Sequence, residues 1–355
     1  MIAGGGIIGL STALEMAQTG LHVVVLERGH VMSEASWAAA GMLAARDPEN
    51  PPILRALSEF SLSLYPEYLE QLRRLSGHSV RLRTRRALQG SRVGERMPLG
   101  ACGSVDLGSA RQLVPGLNGE GRQFLLLEED SLDPRDLCRA LPLAAAAAGV
   151  ELVENTEVLS VTEQGGFVEV ETRAGRMTAK SFVSCCGAWA GSLRGSTGRL
   201  EADRLGIEPR KGQLVTVEMP AAESLQVVLR TPETYLVPRG DGRIVIGATV
   251  LRAGFDKAAE QDVAEILFRE ACALWPPLAQ AKIVDTWAGL RPGSADGLPL
   301  MGACGENLWI AAGHFRNGIL LAPATGRIMR KLLTGQQPEV SVEAFSPARF
   351  ALAEG

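Results

Sequence analysis

The sequence predicts an α/β protein of two domains, one discontinuous in sequence and one built on a mostly antiparallel sheet. Three observations favour this fold. A glycine-rich turn joins an apolar strand to a helix at the N-terminus, alternating strands occupy the middle of the chain, and a second strand–turn–helix unit follows near the C-terminus. The chain has 355 residues, 46% of them hydrophobic, which is enough for two cores.

The N-terminal turn has the spacing of a dinucleotide-binding loop. Gly4, Gly6 and Gly9 form a GxGxxG motif that runs into a helical pattern, and the buried strand that follows ends in Glu27. Glycines at these positions permit a tight turn, close approach of a pyrophosphate and close packing of the helix on the strand. The helix N-terminus offers free N–H groups to phosphates. Glu27 is placed to bind an adenosine ribose, so the motif predicts a Rossmann-type domain.

Only three residues precede Gly4, whereas a first strand normally supplies about five or six. Either this strand is short, or the natural chain begins further upstream.

The later elements are assigned from apolar periodicity and from capping residues. Asp133 is a candidate N-cap, with Pro134 at the first helical position after it. In chain order the predictions are a helix over 52–75, a helix from Asp133 to Gly149, strands over 150–153, 158–162, 167–172 and 177–186, strands over 213–217 and 243–247, a helix over 259–275, a strand over 308–312 and a helix over 322–333.

The late return to a strand–helix unit indicates that the C-terminal part of the chain completes the N-terminal domain. The predicted domains are the dinucleotide-binding domain (1–80, 133–205 and 285–340), the substrate-binding domain (81–132 and 206–284) and a C-terminal tail (341–355).

Composition excludes several functional classes. The formal charge of −4 is spread along the chain, so the basic face that a nucleic-acid binder requires is not expected. The longest weakly polar run, 141–150, is far shorter than the roughly 20 residues needed to span a bilayer. The six cysteines lack metal-site spacing, and adjacent Cys185 and Cys186 are interpreted as buried thiols. We therefore expect a protein without metal in a reducing cytoplasm.

Two C-terminal turns carry the candidate chemistry. The run 287–293 (WAGLRPG) places Arg291 in a polar turn, and 313–318 (GHFRNG) is a glycine-bounded turn before a helix. A helix that begins at such a turn presents free N–H groups, which would stabilise negative charge on a reduced flavin. Arg291 or Arg316 nearby could hold a carboxylate with two parallel hydrogen bonds.

These segments resemble the bacterial glycine oxidases of the D-amino-acid oxidase and sarcosine oxidase superfamily. The runs 287–293 and 314–326 (HFRNGILLAPATG) carry the resemblance, supported by 36–43 (SWAAAGML) and 235–239 (YLVPR). The similarity extends from the first glycines to about residue 335, so it implies an FAD-dependent fold over the whole chain.

The resemblance also implies roles for individual residues. Arg291 would hold the substrate carboxylate, Arg316 would lie at the substrate and the flavin, Tyr235 would take part in the site, and Val250 would line it. The implied FAD contacts are Gly4, Gly6, Ile7, Ile8, Gly9, Glu27, Arg28, Ala35, Ser36, Ala40, Gly41, Met42, Val158, Gly187, His314, Phe315, Arg316, Asn317, Gly318, Ile319 and Leu320.

The expected reaction is oxidation of glycine or a related small amine, such as sarcosine or a small D-amino acid. Hydride would pass to flavin N5, with oxygen as the final acceptor, giving an imine or α-keto acid, ammonia and hydrogen peroxide. The resemblance also implies a homotetramer and a role in making the thiazole of thiamine. Two departures leave the preferred substrate open, because Val250 replaces a methionine and Glu233 a histidine of the family pattern.

Three alternatives remain at this stage: a dehydrogenase that passes electrons to a quinone, a non-catalytic FAD-binding protein and a nicotinamide dehydrogenase. The two arginines disfavour the second, and the C-terminal turn that returns to the cofactor disfavours the third. Related sarcosine oxidases tether their flavin to a cysteine before that turn. The nearest cysteine here, Cys304, lies in a predicted loop, so FAD is expected to bind without a covalent link.

Three further interpretations concern polar residues. His314 is expected to be structural or to contact the flavin rather than to act as an acid–base catalyst. The basic stretch 81–86 is interpreted as a solvated strand face, and the acidic run 128–130 as a solvated turn.

Overall fold

The computed structural model describes residues 1–94, 103–195 and 205–353. Within these ranges the helices are α1 (Ile7–Ala17), α2 (Ala35–Ala38), α3 (Arg55–Ser76), α4 (Leu107–Leu113), α5 (Pro134–Ala147), α6 (Gln261–Leu274) and α7 (Gly318–Leu333). The side chain of Asp133 caps α5 by accepting a hydrogen bond from the Arg135 amide, as the sequence predicted. None of these helices is both long enough and apolar enough to cross a membrane.

Twenty strands are present in the described part of the chain. In order they are β1 (Ile2–Ala3), β2 (Val24–Leu26), β3 (Leu82–Thr84), β4 (Ala87–Arg92), β5 (Gly103–Val105), β6 (Arg122–Leu127), β7 (Ser131–Leu132), β8 (Glu151–Val153), β9 (Val158–Gln164), β10 (Phe167–Thr172), β11 (Gly175–Ala179), β12 (Phe182–Ser184), β13 (Arg194–Gly195), β14 (Glu208–Glu218), β15 (Val228–Arg230), β16 (Tyr235–Pro238), β17 (Arg243–Gly247), β18 (Lys282–Gly293), β19 (Leu300–Ala303) and β20 (Leu308–Ala312).

A six-stranded sheet forms the dinucleotide-binding part of the fold, with strand order β19-β20-β12-β1-β2-β8. All neighbours are parallel except β19, which runs antiparallel to β20. Helices α1, α3, α5 and α7 contact one another, and their apolar faces share one core with this sheet. Burial on both faces explains why β2 and β20 are continuous apolar runs. This arrangement confirms the predicted α/β fold.

An eight-stranded sheet, β18-β14-β17-β16-β15-β4-β6-β5, forms the second part. Its side chains alternate between two cores, as expected for a strand period of two. In β17, Ile244 and Ile246 face the core shared with α6, whereas Val245 faces the opposite core with Ala38 and Ala40. The second face therefore packs against the segment around α2, beside the six-stranded sheet.

Two small sheets complete the fold. The antiparallel strands β9, β10 and β11 form the predicted meander, with β13 added parallel to β9. Strands β3 and β7 pair with each other.

The structure corrects three boundaries. Residues 285–293 belong to the eight-stranded sheet, because β18 pairs with β14 along its whole length, so the chain returns to the other sheet later than predicted. The strand predicted over 177–186 is interrupted and forms β11 and β12. Helix α7 begins at Gly318 rather than at residue 322. Pro323 lies inside the helix near its start, where the loss of one backbone N–H does not end it.

Candidate active site

A cavity of about 820 Å³ lies between the carboxyl ends of the six-stranded sheet and the inner face of the eight-stranded sheet. The carboxyl ends of parallel strands are where open α/β sheets bind ligands. The walls come from residues within 3–8, 26–28, 34–49, 156–160, 185–194, 230–235, 247–250, 289–292 and 311–319, together with Glu171, Gly212 and Leu214.

The glycine loop forms one end of the cavity. Gly4 has a positive φ of 104°, and a Cβ there would lie 2.3 Å from the Cys185 carbonyl oxygen. A Cβ on Gly9 would lie 1.9 Å from the Gly4 oxygen, so Gly9 serves the packing of α1 on β1 and is not part of the wall. At Gly6 a Cβ would lie 3.3 Å from the Ser36 hydroxyl, so a side chain there would press on the group that accepts the Ile7 amide.

The N-cap residue of α1 has no side chain, so the first turn of this helix is bonded by a side chain from another segment. Its N-cap is Gly6, and the Ser36 hydroxyl accepts a hydrogen bond from the Ile7 amide at 2.9 Å. Ser36 and Ile7 both line the cavity. The positive end of the helix dipole therefore faces the cavity, which suits an anionic ligand.

Glu27 is buried at the end of β2 and organises the loops around it. One carboxylate oxygen accepts from the Gly5 amide at 2.8 Å, and the other accepts from the Gly29 amide at 2.9 Å. A carboxylate has about four acceptor positions. Two backbone bonds therefore leave acceptors for hydroxyl groups of a ligand, and the same bonds make Glu27 a structural residue as well.

Small residues form the middle of the wall. Gly41 has a positive φ, and a Cβ there would lie 2.1 Å from the Leu132 carbonyl oxygen. Behind this wall, buried Arg239 donates to the carbonyls of Ala40 at 2.9 Å and Leu132 at 3.0 Å. Burial lowers the pKa of Arg239 to about 10, so it stays charged at neutral pH. Arg239 therefore fixes the backbone of residues 40–41 from outside the cavity.

The C-terminal turn closes the cavity from the other side. Gly313 and Phe315 have positive φ angles, and the Phe315 amide donates to the Pro292 carbonyl at 2.9 Å. Asn317 is the N-cap of α7, with no side-chain cap, and residues 314–319 line the cavity. A second helix N-terminus thus faces the same space, as the sequence predicted.

His314 lies within this turn but is buried. Its Nε2 atom is 3.0 Å from the Thr325 hydroxyl, and burial lowers the pKa of the imidazole to about 3. The ring is neutral at physiological pH, which favours the structural interpretation of this residue.

Arg291 and Tyr235 form the candidate substrate end. The Arg291 guanidinium donates to the Thr249 carbonyl at 3.0 Å and contacts the Tyr235 hydroxyl. Glycine is required beside both: a Cβ on Gly212 would lie 1.9 Å from the Arg291 Nη1 atom, and one on Gly247 would lie 2.3 Å from the Tyr235 hydroxyl. No carboxylate among the described residues forms an ion pair with Arg291. A partly buried, unpaired cation in a cavity is a site for an anion.

Arg316 differs from this expectation, because its charge is already paired. Its Nη1 atom is 2.7 Å from a Glu49 carboxylate oxygen, and its Nη2 atom is 3.5 Å from an Asp47 oxygen. Both acidic residues line the cavity. The geometry therefore favours Arg291 over Arg316 as the carboxylate ligand.

Sequence reasoning missed Arg230, a buried cation in the same wall. It forms two parallel hydrogen bonds with Glu129, at 2.7 and 3.0 Å, and a third with Gln89 at 2.7 Å. Its Nη2 atom also lies 3.9 Å from Asp47. Burial raises the pKa of Glu129, and the charge of Arg230 opposes that shift. The prediction of a solvated turn over 128–130 was wrong for Glu129, which is 3% exposed.

Nearly all of the residues singled out from the sequence line this one cavity. Of the implied FAD contacts, all except Gly9 and Leu320 lie in its walls. Leu320 is buried beneath the turn, where its carbonyl accepts a hydrogen bond from Ser61. Val250 and Glu233 are at the rim: Val250 is 59% exposed, and Glu233 pairs with Arg92 and Arg122. No group of three or more potential metal ligands is found in the described ranges.

Comparison with known proteins identifies relatives over the whole chain. Residues 1–332 match the sequence profile of a family described as FAD dependent oxidoreductase (DAO). The chain is 34% identical to a glycine oxidase of Pseudomonas putida, covering 98% of this chain and 97% of that protein. It is 36% identical to a bifunctional ThiO/ThiG protein of Synechocystis, covering 99% of this chain and 54% of that protein. The crystal structure of a glycine oxidase from Geobacillus kaustophilus, 31% identical, superposes with a TM-score of 0.91 and covers 98% of this chain and 97% of that one.

We predict that Glu129→Ala strongly destabilises the fold. Removing one partner of a buried ion pair leaves the other charge uncompensated and costs roughly 3–5 kcal/mol. The measurement is the free energy of unfolding from urea titration. Glu128→Ala is the matched control, because Glu128 is exposed next to it. Equal urea midpoints for the two variants would show that the pair does not stabilise the protein.

We also predict that His314 contributes to acid sensitivity. Its pKa is lowered from 6.5 to about 3 in the folded state. Between these values the unfolded chain binds one more proton, so stability falls as the pH falls through this window. The loss is about 2 kcal/mol between pH 6.5 and 5, at about 1.4 kcal/mol per unit. His314→Gln, which cannot titrate, should show a shallower decline in urea titrations at pH 7, 6 and 5, and parallel declines would contradict the assignment.

Proposed function

This chain belongs to the DAO family of FAD dependent oxidoreductases, and from that premise we propose that it oxidises glycine or a closely related small amine. The observation that carries the proposal is Arg291. It is a cation without a counter-ion among the described residues, partly buried beside Tyr235 in the cavity that the glycine loop also lines. A small amino acid supplies the carboxylate that such a site requires.

The residues present fit FAD. Gly6 lines the cavity without a side chain at the N-terminus of α1, where a pyrophosphate would be stabilised by N–H groups and the helix dipole. Glu27 retains acceptor positions for ribose hydroxyls. At the other end, the N-terminus of α7 favours negative charge on a bound ring system. When bound there, FAD supplies the two-electron oxidation.

The protein's own contribution is binding and orientation. Arg291 would hold the carboxylate with its free N–H groups, while the bond to Thr249 fixes the guanidinium plane. Tyr235 lies across Gly247 and restricts the space beside the carboxylate. Holding a substrate in one orientation can supply a large part of the rate acceleration. The low-polarity wall of residues 38–42 keeps water away from the reacting carbon.

A neutral amine is required for oxidation, and none of the described titratable side chains around the turn before α7 offers a free base to form it. His314 is neutral with its Nε2 atom directed at Thr325, and the carboxylates of Asp47 and Glu49 are paired with Arg316. We propose that the substrate binds as the free amine or gives its proton to solvent. The rate should then rise with pH toward the pKa of the substrate ammonium group.

The wider assignments are also proposals. We infer that oxygen is the electron acceptor, giving hydrogen peroxide, and that the imine formed serves thiamine thiazole synthesis, as the similarity to ThiO/ThiG proteins favours. A cytoplasmic homotetramer is the expected form, and light scattering would test the number of subunits.

A peroxide-coupled panel of glycine, sarcosine, D-alanine, D-proline and L-amino acids tests the activity. No peroxide and no anaerobic bleaching with any of them would overturn the proposal, whereas bleaching with slow reoxidation would favour a different acceptor.

We predict a graded loss of activity at Arg291. Arg291→Lys keeps the charge but loses the planar fork, and one charge-assisted bond of roughly 1.5–3 kcal/mol corresponds to about a 10- to 150-fold lower kcat/KM. Arg291→Ala should lose more, because the desolvated carboxylate would have no partner. The measurement is steady-state kinetics together with anaerobic flavin reduction.

Arg316→Lys is the comparison variant for this test. Because Arg316 is paired with Glu49, its effect on the substrate KM should be smaller than that of Arg291→Lys. Wild-type reduction rates and substrate affinity in both Arg291 variants would mean that Arg291 is a structural residue and that Arg316 holds the carboxylate.

The flavin should be bound without a covalent link. Cys304 is buried and does not line the cavity. Cys185 and Cys186 do line it, but burial raises the pKa of both thiols, to about 11 for Cys186, so neither is a reactive thiolate. Acid or heat precipitation should release all of the yellow colour into the supernatant. Colour that remains with the pellet after washing in denaturant would refute this prediction.

A further inference from the structure

The segment 249–260, here called the strap, lies between β17 and α6 and spans two walls of the cavity. Val250 at its start lines the cavity. Further along it, Phe255 and Lys257 contact residues that precede α2 or follow β12, in the dinucleotide-binding part of the fold. The strap therefore leaves the eight-stranded sheet, contacts the dinucleotide-binding part of the fold through Phe255 and Lys257, and returns to β14 at Glu260.

The base of the strap is firmly attached to β14. The Lys211 and Leu251 backbones exchange two hydrogen bonds of 2.9 Å. The Lys211 ammonium group is buried and donates to Asp256 at 2.6 Å and to Glu260 at 3.2 Å. Gln213 holds the Glu260 backbone from both sides, at 2.6 and 3.0 Å. The contacts of Leu251 and Glu260 fix the two ends of the strap, and the Lys211–Asp256 pair fixes its backbone between Phe255 and Lys257.

The tip of the strap is held by a smaller set of exposed contacts, here called the latch. The Phe255 ring stacks on Trp189 with a centroid distance of 5.4 Å, and the Lys257 ammonium group lies 2.9 and 3.0 Å from the two Glu34 oxygens. Arg28 completes the latch, because its guanidinium covers the Trp189 ring at 3.5 Å and also reaches Glu34 at 3.2 Å.

Three residues of the latch are also walls of the cavity. Arg28, Glu34 and Trp189 line it, and Arg28 directly follows Glu27 at the end of β2. Phe255, by contrast, is 49% exposed on the outside of Trp189. The latch therefore joins the strap to the part of the cavity that the glycine loop and Glu27 define. Contacts this exposed are weak individually, so the Phe255 and Lys257 side chains can leave Trp189 and Glu34 while the backbone at Asp256 stays attached to Lys211.

We propose that the strap is a further positioning element of the site: latched on Trp189 and Glu34, it retains the cofactor. Phe255 and Lys257 act through these wall residues and do not take part in the chemistry. When the latch opens, Arg28 and Trp189 lose their outer partners and FAD can leave. The inference concerns only cofactor retention, so it stands or falls independently of which amine is oxidised.

The test is the rate of FAD release from the purified holoenzyme. Holoenzyme is mixed with an excess of an apoflavoprotein that captures free FAD, and the change in flavin fluorescence is followed. Losing an exposed ion pair or a ring stack should accelerate release by about 3- to 10-fold in Lys257→Ala and in Phe255→Ala. Lys257→Arg, which keeps the charge, should stay close to wild type. Lys282→Ala is the matched control, since Lys282 is exposed and has no ion pair among the described residues.

Salt dependence separates the latch from a general loss of stability. Raising ionic strength screens the exposed Lys257–Glu34 pair, so release from wild type should accelerate more with salt than release from Lys257→Ala. The proposal is overturned if Lys257→Ala releases FAD at the rate of Lys282→Ala, or if Lys257→Arg is as fast as Lys257→Ala. These outcomes hold even if Phe255→Ala fails to fold.

Discussion

The pairing of β18 with β14 is the constraint on which the rest of the site depends. This ladder places Arg291 opposite Arg210 and leaves Gly212 beneath the Arg291 guanidinium. It brings Gly289 so close to α2 that a Cβ would lie 2.4 Å from the Ala38 Cβ. At its end, Gly293 forms a bridge to His314, and the turn that starts α7 follows. One pair of strands thus sets the proposed carboxylate ligand, the small-residue wall and the turn before α7 in a single register.

Local features of the site could be predicted from the sequence, because their signals lie within a few residues. The glycine loop, the Asp133 cap and strands such as β17 and β20 follow from turn chemistry and apolar periodicity. The convergence of residues 35–36, 38–42, 235, 291–292 and 314–319 on one cavity was expected only through resemblance to a family. The end of β18 could not be placed, since its Gly-Leu-Arg-Pro-Gly run has the composition of a turn, and only pairing with β14 keeps it extended.

Long-range ion pairs were beyond sequence reasoning for a physical reason. Arg230 and Glu129 are 101 residues apart, and their contact depends on β15 lying beside β4 and β4 beside β6. When its neighbours in the fold are unknown, an acidic run is ordinarily expected at the surface. The signal that corrects this is Arg230 itself, which directly ends the apolar run of β15 and so needs a buried partner. The same reasoning applies to Arg316, whose partners Glu49 and Asp47 come from a loop early in the chain.

The distribution of paired and unpaired charge suggests how chemistry and substrate choice are separated in this protein. Arg230 and Arg316 are neutralised by carboxylates, so they shape the wall without competing for an anion. Arg291 alone among these three lacks such a partner in the described part of the chain, and a single free cation selects for one carboxylate. The two positions that the resemblance marks as departures, Val250 and Glu233, lie at the rim, where Glu233 is held by Arg92 and Arg122. In the proposed site, changes at the rim would alter which side chain or N-substituent can be accommodated, whereas the orientation of the carboxylate would be set by the β14–β18 ladder beneath it. Substrate preference can therefore differ from that of related enzymes without any change in the residues that orient the reacting carbon.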